Sequence, residues 1–303
     1  MDSSYVDKFG PLPLPLAVQH ECCRVEPLPD FNETLKALKN AQHRNGFLYP
    51  PSSQQYAVDP ITGKIQKPIP KTQRPMLLFK LPPTHQIVIS GQSDDVQTIR
   101  KGMAGFVIHL LAYLTGVRVQ FHDWWFSGRI PIRPSPPGYV SSSVAQHFFE
   151  VALEEWKSWS LQIRRIFTNA LFIHTWVPSY EWEWERFMVE YMVTDALWKV
   201  SSQLRNLGPC SHSERIIKLC EEYNLYRDDA RVQAVVGLRN DLFHEALWNG
   251  NTPGFGSSAS AFQAVYDLRR LNDRLIPAIL RYSTNFVSTN WRSLSRFSFG
   301  GDA

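Results

Sequence analysis

Proline is the feature that most constrains this chain: 17 of its 21 prolines lie before residue 138. Proline lacks an N–H and fixes φ, so it belongs at turns, strand edges and helix starts rather than in helix interiors. The first 140 residues therefore cannot form a helical bundle, whereas residues 141–303 are free to. PLPLPLAV and RVEPLPD read as extended entry segments, and Asp30 with Glu33 predicts a capped helix near 31–43. Short apolar groups broken by Pro and by DPITGK follow, and HQIVIS at 85–90 is the clearest strand. Ile99, Met103, Phe106, Leu110 and Leu114 recur at helical spacing up to Gly116, a natural helix terminator. VRVQFHDWW then alternates like a strand, and IPIRPSPPGYV reads as a connector. Trp124 and Trp125, closing that strand, serve either a core or a ligand platform.

The expected fold class is α+β: a Pro-rich mixed α/β domain over 1–140, then an all-α bundle over 141–303. In the second part, residues 141–177 read as one long helix. Others follow near 180–205, 212–223, 228–247 and 259–282, the last with Pro277 kinking it. Six of the ten tryptophans fall between 156 and 198, where large side chains at helical spacing mean core. The tail from Ser283 is expected to be flexible or to dock only by its aromatics.

Charge and cysteine narrow the function classes. The net charge is +4, and the excess is confined to the first 140 residues, so no broad basic face for nonspecific nucleic-acid binding is visible. Residues 141–261 carry 11 basic and 15 acidic side chains, which would repel RNA unless arginine is concentrated locally. The strongly apolar stretch from Gly102 to Val117, free of Asp, Glu, Lys and Arg, is 16 residues, below the roughly 20 a membrane helix needs. No membrane span is expected. Four cysteines without a CxxC pair, and an N-terminus without a basic-then-apolar leader, point to a reducing cytoplasm. Nine scattered histidines lacking HExxH spacing leave no support for a metal or cofactor.

Chemistry concentrates in Arg239-Asn240-Asp241-Leu242-Phe243-His244, near the end of the 228–247 helix. Val235, Leu238 and Leu242 form its core stripe, while Asn240 and His244, four apart, share another face that Arg239 can reach. Asp241 and Glu245 would raise the basicity of His244 if close. Arg270 and Arg274, one turn apart, can hold an RNA backbone or form a solvated face paired with Asp267 and Asp273. Asp195, inside the apolar run YMVTDALW, can support the motif helix or cap a polar stripe. Gly250–Ser258 offers backbone N–H groups that suit a phosphate, or is a plain loop.

The RNDLFH hexapeptide, followed by EALWNG and preceded by the WEWERFMVEYMVTDALWKV helix, resembles the HEPN superfamily, closest to its ApeA-like branch, over roughly residues 180–282. The resemblance implies a bundle of four or five helices. It also implies a metal-independent endoribonuclease acting as a homodimer, in a defence or toxin context, with two motifs facing each other. Carried over, Arg239 and His244 are catalytic and Asn240 orients the imidazole. The chemistry suits those roles: histidine titrates near neutrality and transfers protons, and arginine stays charged against a phosphate. Some members of the superfamily keep the fold only for association, so a noncatalytic dimerisation module is the competing class.

Overall fold

The computed structural model describes residues 4–40, 43–49, 56–59, 61–68, 78–90, 95–132, 140–253, 258–290 and 299. In chain order the first part contains β1 (Ser4–Gly10), β2 (Val18–His20), β3 (Cys23–Pro27), α1 (Phe31–Asn40), β4 (His43–Arg44), β5 (Phe47–Leu48), β6 (Tyr56–Val58), β7 (Ile65–Pro68), β8 (Leu78–Phe79), β9 (His85–Ser90), α2 (Val96–Lys101), α3 (Met103–Thr115), β10 (Gln120–Phe121), β11 (Phe126–Ser127) and β12 (Ile130–Pro131). The second contains α4 (Ser142–Ser158), α5 (Leu161–Trp176), α6 (Glu183–Leu204), α7 (His212–Glu222), α8 (Asp229–Glu245), α9 (Ala259–Ile279) and α10 (Asn285–Ser288). This is an α+β chain with its strands ahead of its bundle.

The main sheet is antiparallel, in the order β10-β1-β9-β3-β2. HQIVIS becomes β9 at its centre, with His85, Ile87 and Ile89 buried in the alternation a one-sided sheet requires. Its neighbour β1, unforeseen in the sequence, pairs with it from Ser4↔Ser90 to Phe9↔His85. The expected strand after Gly116 is shorter than its alternation suggested, pairing only at Gln120 and Phe121.

Position 140 is a change of composition more than a boundary in the core. Every residue of α3 from Ala104 to Thr115 is buried, as befits a helix apolar on all sides. Phe106 of α3 stacks on Trp156 of α4 at 4.7 Å, and the Tyr113 hydroxyl donates to the Asp273 carbonyl of α9 at 2.6 Å. One apolar cluster runs from Phe9, Ile87 and Ile89 of the sheet through α3 to Leu197, Val235 and Leu275 of the bundle. The connector at 133–139 lies outside the described residues.

The long helix expected over 141–177 is two. Trp159 is extended (φ −82°, ψ 158°), and the Ser160 hydroxyl accepts the Ile163 amide, starting α5 afresh. Apolar spacing continues on both sides of this break, which is why it reads as one helix. The first helix also ends earlier than expected, at Asn40. Of the tail, Phe299 is buried against Tyr113, Phe148, Tyr282 and Phe286, so it docks by an aromatic.

Candidate functional site

Helix α8 is fixed at both ends. Asp228 caps it by accepting the Arg231 amide, and Arg231 ties it to α9 through Asp267 Oδ2 at 2.8 Å. Val232, Val235 and Leu238 turn inward. At its C-terminus Ala246 adopts the left-handed conformation (φ 56°), and the Leu247 amide returns to the Asp241 carbonyl. Trp248, buried against Phe187, then pins the exit. The outward face carries Asn240, Phe243 and His244, all exposed, with Arg239 half-buried beside them.

Those side chains converge. One Arg239 Nη donates to Asn240 Oδ1 at 3.0 Å and lies 3.0 Å from His244 Nε2. A guanidinium has no acceptor, so in this contact Arg239 donates and Nε2 accepts. The Arg239 guanidinium also lies 5.1 Å from the Phe243 ring and 5.9 Å from the Tyr191 ring. Its buried Nε–H has no acceptor among the described residues.

Two expectations change here. Asn240 holds the guanidinium and not the imidazole, because its amide oxygen is spent on Arg239. Among the described residues no ion pair joins Asp241 or Glu245 to His244.

A group the sequence reading missed stands behind this face. The Tyr191 hydroxyl is 3.1 Å from His212 Nδ1, which lies 3.7 Å from Asp195, and Arg215 donates to Asp195 at 3.0 Å. Asp195 thus ties α6 to α7, and its link toward the motif helix runs through His212 and Tyr191. Burial pushes the Tyr191 hydroxyl up to about 12, with Asp195 adding to it. Burial also lowers His212; Asp195 opposes this, while Arg239, Arg215 and His244 reinforce it. His212 opens α7 directly after Ser211, which forms a capping box with Glu214, a structural signal that gave no hint of its neighbours.

Arg274 is corrected outright. It is 1% exposed, donates to the Thr289 carbonyl and hydroxyl and to the Arg270 carbonyl, and clamps α10 instead of facing RNA. Arg270 is half-buried over the Tyr266 ring, so the two arginines form no phosphate-binding pair. Asp267 and Asp273, expected on a solvated face, are buried, paired with Arg231 and His174. Trp124 packs edge-on to Phe121, whereas Trp125 is exposed beneath Lys80. Within the 250–258 loop, residues 254–257 lie outside the described residues.

Compared with known proteins, the chain matches no family model, no curated protein and no solved structure. The site must be judged on its chemistry. A cavity of about 380 Å³ lined by Phe47, Val265, Tyr266, Arg186 and Arg269 includes neither Arg239 nor His244. Among the described residues, the one close trio of ligand-type side chains is His20, Glu21 and Glu154. Lys157 lies 3.3 Å and 3.0 Å from its two carboxylates, so the trio is ion-paired. No described helix is long and apolar enough to cross a membrane.

Proposed function

We propose that Arg239 and His244 form half of a metal-independent endoribonuclease site of the HEPN type, completed by a second copy of the chain. The observation that carries this reading is the 3.0 Å approach of Arg239 to the accepting nitrogen of His244 on an exposed helix face. A small-molecule site would be concave and largely apolar. An open face with an arginine and a histidine suits one phosphodiester of a long chain.

His244 Nε2 takes the proton of the ribose 2′-OH, the 2′ oxygen attacks phosphorus, and the bond to the 5′ oxygen breaks. Arg239 turns its donors from Asn240 and His244 to the phosphoryl oxygens as their charge grows. The leaving oxygen needs a proton donor, which the equivalent histidine of the second copy supplies. His212, whose affinity for protons is lowered by burial, is instead a positioning residue that holds Tyr191 beneath Arg239. Phe243, 45% exposed beside Arg239, gives the second copy an apolar seat.

The test is cleavage of a defined RNA. Products should end in a 2′,3′-cyclic phosphate and a 5′-OH, survive EDTA during formation, and be absent with DNA or with 2′-O-methyl at the cut. Light scattering should show a dimer at micromolar concentration. A fully active monomer, or strict dependence on an added divalent metal, would overturn the reading.

A further inference from the structure

The turn between β2 and β3 builds a second histidine-centred constellation that RNA cleavage does not use. His20 closes β2, and Cys22 stands in the tight turn before Cys23 opens β3, so the turn folds the Cys22 thiol back onto the imidazole. Cys22 Sγ is 3.1 Å from His20 Nδ1, and His20 Nε2 is 2.8 Å from Glu154 Oε1 of α4. The sulfur is partly open to solvent and the imidazole is 9% exposed. Nucleophile, base and orienting carboxylate thus stand in the order that activated thiols require.

Hydrogen bonding fixes the direction of proton flow. The Cys22 amide N–H donates to His20 Nδ1 at 3.3 Å, so Nδ1 is the accepting nitrogen and the Nε2 proton faces Glu154. That tautomer is the one able to take the thiol proton. The groups around the sulfur are Cys23 beside it, Glu21 before it in the turn, His20, Lys157 of α4, and the Met103 thioether of α3 at 3.9 Å, while Glu154 lies beyond the imidazole. The Cys22 thiol is lowered to about 6, chiefly by a hydrogen bond from the Cys23 thiol, with His20 and Lys157 helping against partial burial. Cys23 is pushed the opposite way by the same bond and by burial, and burial drives Cys220 up to about 12. Of these three cysteines only Cys22 has the surroundings of a reactive thiol.

We propose that Cys22 is a nucleophilic thiol, activated by His20 and oriented through Glu154, that exchanges with small cationic disulfides. In the exchange a Cys22–sulfur bond forms as the substrate's S–S bond breaks, and the released thiolate takes the proton held on His20 Nδ1. One disulfide is consumed and one is formed, with no outside oxidant. The cationic preference follows from Glu21, next to Cys22 in the turn, and Glu154 on His20, two carboxylates against the single cation Lys157.

The test uses the full chain with cystamine, a dicationic disulfide, and with neutral iodoacetamide, followed by peptide mapping from pH 5 to 9. Cys22 should be modified first of the four cysteines, and its alkylation rate should level off near pH 7, where an ordinary thiol is still rising. His20→Asn should slow Cys22 at pH 6.5 by about tenfold or more and leave Cys210 unchanged. Glu154→Gln, at an exposed position that leaves the fold intact, should give a smaller slowing of the same sign. Cys22 that tracks Cys210 in rate and pH profile, or that is indifferent to both substitutions, overturns the proposal.

Discussion

His174 and His244 lie in the same set of helices, each within 3.0 Å of a charged neighbour, and their surroundings are opposite. His174, 1% exposed, has both ring nitrogens on carboxylates: Nδ1 is 2.9 Å from Glu190 and Nε2 is 2.8 Å from Asp273. Glu190 also accepts from Arg269 and Asn272, and Asn272 in turn accepts from Thr194. Each of these buried groups has a partner, drawn from α5, α6 and α9. His244 is exposed and meets a donor, Arg239, whose own Nε–H is unspent. The contrast teaches that a charged cluster with its bonding complete holds a fold together, while one with donors left over is able to act on something else.

The largest expected effect is on the buried side. His174→Ala leaves buried Asp273 without the cation it bonds and Glu190 with Arg269 alone, and should cost about 3–5 kcal/mol, read as a large fall in thermal midpoint. Equal stability of the variant would break the comparison at its structural end.

The pH dependence is next in size. Burial alone would lower His174, but Glu190 and Asp273 more than offset it and push it up to about 9, against about 6.5 unfolded. The folded state therefore holds a proton the unfolded state has lost between those values. The stabilisation is complete below about pH 6.5 and disappears as pH rises to about 9, a change on the order of 3 kcal/mol. Thermal midpoints should fall over that window, and His174→Gln should flatten the fall. On the acid side, burial holds His85 near 4 and His109 near 3. Both must charge on unfolding in acid, so stability should also decline as pH drops below about 6.5.

Smaller effects sharpen the exposed side. Asn240→Ala removes one bond to Arg239 and should slow cleavage by about tenfold with little change in midpoint. Ala246→Gly relieves a left-handed alanine at the end of α8 and should stabilise the fold by about 0.5 kcal/mol, as measured by urea denaturation.

Much of the bundle was legible because its signals are local. Gly116 ends α3 in the left-handed conformation, α8 spans Asp229–Glu245 close to the expected 228–247, and Val235 and Leu238 face inward as their spacing implies. The convergence of Arg239 and His244 followed from the same helical geometry. What escaped was long-range. His174, Glu190 and Asp273 are joined across 99 residues of chain, and the only trace in sequence was acidic residues set within apolar runs. Asp267 and Arg274 looked solvated for the same reason, their partners being Arg231 of another helix and Thr289 beyond the helix end. His212 came to the site by the packing of α7, and Asn240 bonds the Arg239 guanidinium.

The central claim is that the exposed cluster is chemical and the buried one structural. The most direct measurement is single-turnover RNA cleavage by His244→Ala and Arg239→Ala beside wild type, with thermal midpoints taken on the same preparations. The account predicts a loss of about 10²-fold or more in cleavage for each, with fold and dimer intact, since neither side chain lies on the inward stripe of α8. Unchanged cleavage with a midpoint lowered by the equivalent of about 0.3–1 kcal/mol would make both residues helix-end caps and contradict the account.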